Sequence, residues 1–438
     1  MLGHSSEVDS TGATQSVLNQ RADRGSESHP KMYDAVVLDA ALRQSLVSIR
    51  SLGKQGLKVA ALEAENRVPA FASRWCRQGI VCPSVAGTDD YLAFLEQWLE
   101  HSGARVVIAS SDSTVALLRQ HRERLEKQVK IALARDPALR IAINKEATLE
   151  VARQLGLAIP RGVTINAPDE VSAALKEIGL PAVLKPVESW LWDEQQGGGV
   201  RFASRLVTTE DEAQRAAEEL TYLGGTILLQ QFLTGRREAI SIMYANREVH
   251  AIFAQWARRT EPQLGGTSVL RQSIAVPSDI GAQSERLIRE IDLEGYAEVE
   301  FRRDQAGIPY LMEINPRLSA SVEIAVRSGV DFPHLLYQWA NGGKIDTVRS
   351  YRVGKWMRYL KGDIMTTIEA LQKRGRPGIT PPLQAVRDFT FSFFQPMYYD
   401  YIDWNDLTPA IKASTEFTFE WVGGAIAKRL SRIKRSSS

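Results

Sequence analysis

The sequence predicts a mixed α/β and α+β fold. A parallel α/β region comes first, an α+β body follows, and a mostly helical extension closes the chain. Three observations carry this. Apolar runs alternate with helical stretches from Tyr33 to Ser110, the pattern of a parallel sheet covered by helices. Glu298-Val-Glu-Phe-Arg and Tyr310-Leu-Met-Glu-Ile-Asn-Pro-Arg flank a turn at Asp304-Gln-Ala-Gly-Ile-Pro, so two strands meet as a hairpin. After Gly343, residues 351–371 and 410–432 have a helical period. With 438 residues, the chain can bury two or three domain cores.

The elements follow in order. Met1 to Pro30 is rich in Ser, Gln and charge and has no apolar core, so residues 1–32 are expected to be a disordered lead-in without a signal peptide. Ala35-Val-Val-Leu-Asp reads as a strand, and Gln44 to Leu52 as a helix closed by Gly53. Leu57-Lys-Val-Ala-Ala-Leu-Glu, Gly79-Ile-Val-Cys-Pro and Ala104-Arg-Val-Val-Ile-Ala-Ser are further strands, with a helix over Asp89–Glu100. A helix opens at Asn144 and closes at Gly156, and Arg161 to Ile165 begins the next strand. The aromatic run Phe389 to Trp404 has no period that assigns it.

Composition excludes several classes. The formal net charge is +2, which gives no global field for nucleic acid. No apolar run has the length of a membrane span. Cys76 and Cys82 are the only cysteines, and their spacing fits no common zinc or redox motif. Reduced, partly buried thiols in a cytoplasmic protein are expected. The six histidines show no ligand spacing, and neither H-E-x-x-H nor a Walker A motif occurs. The G-x-G-x-x-G dinucleotide fingerprint is also missing.

The chemistry concentrates in the hairpin. Glu313 and Asn315 are two apart on one strand, so they share a face. Glu300 on the neighbouring strand reaches that face. Two carboxylates and an amide form a hard-oxygen set suited to Mg²⁺, or Mn²⁺ in its place. Crowding of two carboxylates suggests that Glu313→Gln leaves stability level or raised. Arg317 follows Asn315 by two and points the same way, placed to stabilise charge on a transferring group. Leu180-Pro-Ala-Val-Leu-Lys-Pro ends a buried strand in Lys185, whose ammonium can meet phosphate oxygens. Gly197, Gly198 and Gly199 let backbone N–H groups converge on an anion. Trp190 and Trp192 cover that site, grip a substrate or pack locally. Lys145 is either a phosphate ligand or a solvated helix-start lysine. Arg258 and Arg259 either grip a carboxylate or sit in a solvated loop.

Val-Glu-Phe, Leu-Met-Glu-Ile-Asn-Pro-Arg, Ser319-Ala-Ser-Val-Glu-Ile-Ala and Ser328-Gly-Val-Asp-Phe-Pro resemble the C-terminal half of an ATP-grasp domain. The branch is that of the carbamoyl phosphate synthase large chain and the carboxylate–amine ligases. The resemblance spans about residues 33–345 and is strongest at 296–333. It implies a pre-ATP-grasp α/β domain at 33–140, a two-part ATP-grasp domain at 141–345 and an extension at 346–438. It implies ATP as nucleotide and Lys145 and Lys185 as phosphate contacts. The glycine loop would close over ATP, and Gln230, Gln231 and Leu233 would line the adenine linker. Glu238 aligns with the family's ribose contact. The linker departs from the family in carrying glutamines where a charged residue is usual.

The expected reaction is ATP-dependent activation of a carboxylate as an acyl phosphate, followed by attack of an amine. Arg317, Lys185 and Arg258 are the expected catalytic residues. A thiol, ammonia or biotin-type acceptor is the second reading, and a nucleotide-binding scaffold without turnover is the third. The expected partners are small molecules and no nucleic acid. The sequence is compatible with a homodimer. The basic end, Lys428-Arg-Leu-Ser-Arg-Ile-Lys-Arg, either docks as a helix with a frayed tail or touches an anionic membrane surface.

Overall fold

The structure, a computed structural model, describes residues 32–419 apart from 189, 194–197, 202–203, 222–224, 264 and 377. The expected lead-in, Gly197 and the basic end thus lie outside the described residues. The described chain belongs to one compact unit.

Five short strands come first: β1 (Ala35–Val37), β2 (Val59–Glu63), β3 (Cys76–Val81), β4 (Val106–Ile108) and β5 (Lys130–Ile131). They form a parallel sheet in the order β3-β2-β1-β4-β5. The helix Arg43–Lys54 runs past the expected stop at Gly53. Gly53 serves close packing rather than a stop: a Cβ there would lie 2.6 Å from the Trp75 Cβ. Both thiols are free, and burial first of all pushes Cys76 up to about 11 and Cys82 up to about 12. Neither is a thiolate at neutral pH.

The next strands are β6 (Gly162–Ile165), β7 (Ala182–Pro186), β8 (Trp190–Asp193), β9 (Gly198–Arg201), β10 (Arg205–Val207) and β11 (Ile227–Gln231). Four of them make an antiparallel sheet, β10-β7-β11-β6, while β8 and β9 pair as a separate hairpin. Ala182, Leu184, Ile227 and Leu229 pack under the helices Val171–Ile178 and Glu210–Thr221. By strand alternation Val183, Lys185, Leu228 and Gln230 face the other way.

The third sheet holds β12 (Arg237–Ala245), β13 (Glu248–Glu261), β14 (Thr267–Ile274), β15 (Gly295–Arg303), β16 (Pro309–Asn315), β17 (Trp356–Arg358) and β18 (Tyr398–Tyr399). Its order is β16-β15-β12-β13-β14-β17-β18. One face carries Ile240, Ile242, Val299 and Phe301 into a core shared with Ile280 and Leu287 of the helix Ser278–Glu290. The other face is apolar at one end, with Met243, Phe253 and Tyr296, and polar at the other. Of the two helices expected in the extension, the first is Leu360–Gln372; residues 408–419 of the second are helical, and the rest of it lies outside the described residues. The helix Pro382–Phe391 was not expected, and the extension also adds two strands. The helix expected from Tyr351 therefore starts only at Leu360, because Trp356–Arg358 pairs with the free edge of β14. Pairing an exposed edge outweighed the local helical pattern. No helix among the described residues is long and apolar enough to cross a membrane.

Candidate active site

The polar end of the third sheet gathers most of the residues that the sequence singled out. Glu300 stands directly opposite Glu313, and Glu298 opposite Asn315, in the antiparallel pair β15–β16. All four side chains share one face, as the spacing predicts. A bulge after Glu300 shifts the register and limits the aligned set to these positions. Asn315 Nδ2 donates to Glu300 Oε1 at 3.2 Å. From the adjacent β12, Arg237 donates to Glu300 Oε2 through Nε at 3.0 Å and Nη2 at 2.5 Å. A further Nη1 bond reaches the carbonyl of Gly266. Sequence reading missed Arg237. Its two-residue spacing from Ala239, which faces Glu300, is visible only once the strands are paired.

Two lysines face this set. Lys185 ends β7 on the open face of the second sheet and is buried. Its ammonium is lowered to about 8, by burial above all, with Glu313 pulling up and Lys145 pushing down. Lys145, also buried, opens the helix Lys145–Gln154. Asn144 caps that helix by accepting from the Ala147 N–H at 2.9 Å. The Lys145 N–H donates to the Val187 carbonyl, which ties the helix start to the end of β7. The solvated reading of Lys145 is thereby excluded. Burial pushes the Glu313 carboxyl up, but Lys145, Lys185 and Arg237 together hold it below the usual range. This reverses the stability expected for Glu313→Gln. The carboxylate is compensated by cations, so removing its charge uncovers them.

Arg317 donates through Nε to Asp112 Oδ1 at 2.6 Å. Asp112 lies in the first turn of the helix Asp112–Gln120, so the first region of the chain orients the arginine. Burial pushes the Arg317 guanidinium down, but Asp112 first, and then Glu313 and Glu298, hold it above its ordinary value. Glu298 is buried. Burial and the Glu300 charge push it up to about 7, against hydrogen bonds from Ser319 and Ser321 and the field of Arg237.

The linker between β11 and β12 is short. It passes so close to the third sheet that a Cβ on Gly235 would overlap the Arg303 carbonyl oxygen. Gln230 is buried, and neither end of its amide has a partner among the described residues. The Gln231 N–H donates to the Arg161 carbonyl, and the Leu233 carbonyl accepts from Arg302 at 3.1 Å. Neither of these bonds engages the Gln231 C=O or the Leu233 N–H. Gly198 and Gly199 lie on β9, paired with Asp193 and Trp192.

Three expectations fail to converge here. Glu238 lies across from Phe301, on the face opposite Glu300. Its carboxylate is engaged by Arg236 at 3.0 Å and Arg303 at 2.7 Å. Arg258 is exposed at a bulge of β13 and lies 5.9 Å from the Trp356 ring. Trp356 shares the face of Glu238 through the pairs with Gln272 and Trp256, so Arg258 is remote from Glu313. Arg259 forms a two-pronged pair with Asp363, both distances 2.6 Å, and so holds the extension rather than a substrate. The bulge between Ala257 and Arg259, which the sequence gives no sign of, redirects both arginines.

Residues 225–362 match the family model described as ATP-grasp in the biosynthetic pathway with Ter operon. The carbamoyl phosphate synthase large chain of Deinococcus deserti is 27% identical over 41% of this chain and 17% of its own. A D-alanine–D-alanine ligase of Saccharophagus degradans is 22% identical over 45% of this chain and 64% of its own. The chain thus spans under two thirds of either curated relative. The solved structure of N5-carboxyaminoimidazole ribonucleotide synthetase with ADP has a TM-score of 0.59. It is 15% identical and covers 84% of this chain and 98% of that one, a likeness of fold. The motif match, the paired carboxylates and these relatives agree: the chain carries an ATP-grasp domain.

Proposed function

We propose that this protein is an ATP-dependent ligase that activates a carboxylate as an acyl phosphate and joins it to an amine, forming an amide or peptide bond. The observation that carries the proposal is the register Glu300 opposite Glu313, with Asn315 beside them and Lys145, Lys185 and Arg317 around them. The names of two relatives, D-alanine–D-alanine ligase and carbamoyl phosphate synthase, support ligation of small molecules.

Lys145 and Lys185 hold phosphate oxygens. The orphaned Gln230 amide, the Gln231 carbonyl and the Leu233 N–H receive the base. Glu300, Glu313 and Asn315 fit a divalent cation: they are hard oxygen donors on one face, and a carboxylate with four lone-pair sites keeps capacity beyond the two bonds from Arg237. Mg²⁺, when bound there, supplies charge neutralisation for the phosphates. The substrate carboxylate attacks the γ-phosphorus and the bond to ADP breaks. Arg317, oriented by Asp112, stabilises the charge that builds on the transferring group. The amine then attacks the acyl carbon, and phosphate leaves. Residues 33–140 form the part that presents Asp112, and so serve the pre-ATP-grasp role. The protein's work is positioning and electrostatics.

The test is product analysis over pairs of amino acids and small carboxylates with ATP and Mg²⁺. ADP and phosphate are expected, with an amide by mass. AMP and pyrophosphate would overturn the mechanism.

A further inference from the structure

Beside the metal-type ligands lies a second polar cluster that the mechanism above leaves unused. Glu298 is 3% exposed. Four donors converge on its Oε2: Ser319 Oγ at 2.8 Å, Gln255 Nε2 at 3.0 Å, Ser321 Oγ at 3.3 Å and Ser241 Oγ at 3.5 Å. They come from β12, β13 and the loop after Asn315, so the carboxylate is fixed from three sides. All the hydrogen bonds that the described residues make to Glu298 fall on this one oxygen. Oε1 remains an open acceptor.

Burying a carboxylate costs free energy unless a cation or enough donors compensate it. The two arginines whose fields couple to it are committed elsewhere. Arg237 is bound to Glu300 and Arg317 to Asp112. Gln255 Oε1 is a second buried acceptor without a partner among the described residues. The cluster is therefore rich in acceptors and short of one cationic donor. It also lies in line with the chemistry. Glu298 is two residues from Glu300 on the same strand face and directly opposite Asn315, about 6–7 Å along the strand from the phosphate-facing pair.

We infer that this cluster is an ammonium-binding subsite: Glu298 Oε1, with Gln255 Oε1 beside it, takes the cationic amino group of a substrate whose carboxylate lies toward Arg317. The inference rests on the proposed ligase reading and narrows its carboxylate substrate to an amino acid. Ser319 and Ser321 act as positioning residues, turning Oε1 toward the bound group by occupying Oε2. Desamino carboxylates of the same length lack the donor that the cluster needs, and leave its buried acceptors unpaired.

The full chain is tested with the twenty common amino acids and with their desamino counterparts, such as propionate against alanine and succinate against aspartate. Two readouts are taken: thermal shift in the presence of MgADP, which needs no turnover, and ADP release from MgATP. At least one amino acid is expected to stabilise the protein and drive ADP release while its desamino partner does neither. In Glu298→Gln the apparent affinity for that amino acid should fall on the order of 10- to 100-fold, the effect of removing a hydrogen bond to a charged group. Affinity for MgADP should stay within about twofold. Ser319→Ala, which keeps the charge, should weaken the amino acid by a few-fold and decides the matter if the Gln variant does not fold. Equal response to amino and desamino acids overturns the inference, as does a shift with no amino acid, or discrimination unchanged in both variants. ADP release driven by desamino acids alone overturns the subsite and leaves the acyl-phosphate reading standing. AMP and pyrophosphate overturn that reading, while the thermal-shift comparison still decides for or against Glu298.

Discussion

Glu313 is the residue on which the metal-type face and the phosphate-type face meet. Lys145, Lys185 and Arg237 all act on its charge. Glu313→Gln keeps the shape and removes one negative charge, so a contact that strengthens toward the transition state is lost. The expected cost is on the order of 3–4 kcal/mol, a rate loss of about a hundredfold or more. Apparent stability should fall at neutral pH. A carboxyl held below its usual range contributes stability above that range, and the variant lacks the contribution. Parent-like ADP release with unchanged Mg²⁺ dependence would remove the metal assignment. Lys185 gives a second prediction at this scale. Its ammonium is lowered to about 8, so the free protein loses that proton as pH rises past 8. Phosphate binds the protonated form. MgADP affinity measured by calorimetry should therefore decline above pH 8, and Lys185→Met should abolish that decline. The ligand-free protein should respond in the opposite sense. Between about 8 and the usual lysine range the unfolded chain holds a proton that the folded one has shed, so stability rises with pH there. Glu300, Glu313, Asn315 and Lys185 were legible because each lies at a fixed offset within one strand. Arg237 and Glu298 were not, because their roles depend on which strands are neighbours.

The β8–β9 hairpin carries the element-scale prediction. Gly198 pairs with Asp193, and a backbone that approaches an anion there would exclude a Cβ. Gly198→Val should lower kcat about tenfold or more while moving the melting temperature by no more than a degree or two, because a hairpin strand tolerates valine. Turnover at the parent rate would make the hairpin a connector. Element legibility follows a physical rule. Helices and strands set by their own periodicity were found: the helix ending before Gly156, the hairpin β15–β16 and the strand–linker–strand of β11 and β12. Elements set by a distant partner were not. Trp356–Arg358 is a strand only because β14 offers an edge, and the break in β13 that turns Arg258 away from the site is a bulge against β14. Packing at long range leaves no local pattern to read.

At the scale of the whole molecule, buried ion pairs bind the C-terminal extension to both earlier regions. Asp400 receives Arg271 at 2.6 Å and also Arg43. Arg271 belongs to β14 and Arg43 to the helix beside the first sheet. Asp406 receives Arg50 at 2.9 Å, and Asp363 receives Arg259 and Arg358, each at 2.6 Å. Arg271, Arg358 and Asp363 have no solvent exposure. Such pairs add little over a well-packed apolar core, but removing one partner strands a buried charge at about 3–5 kcal/mol. Asp400→Asn leaves Arg271 facing a neutral amide, so urea denaturation should show a loss of that order at neutral pH. Because Asp400 couples the first sheet, the third sheet and the extension, loss of the pair should move tryptophan fluorescence and far-ultraviolet circular dichroism together. Two separated transitions in the parent protein would refute a single cooperative unit. The pH dependence supplies the control. Burial pushes the Asp400 carboxyl up, yet Arg271 and then Arg43 hold it below its ordinary value of 3.8. Its contribution is therefore complete above the ordinary aspartate range and fades as pH falls through the depressed value. The parent should lose stability across that acidic window, and Asp400→Asn, weaker at neutral pH, should lose less there. A slope equal to the parent's would mean that Asp400 is not the group that ties the extension to the body of the protein.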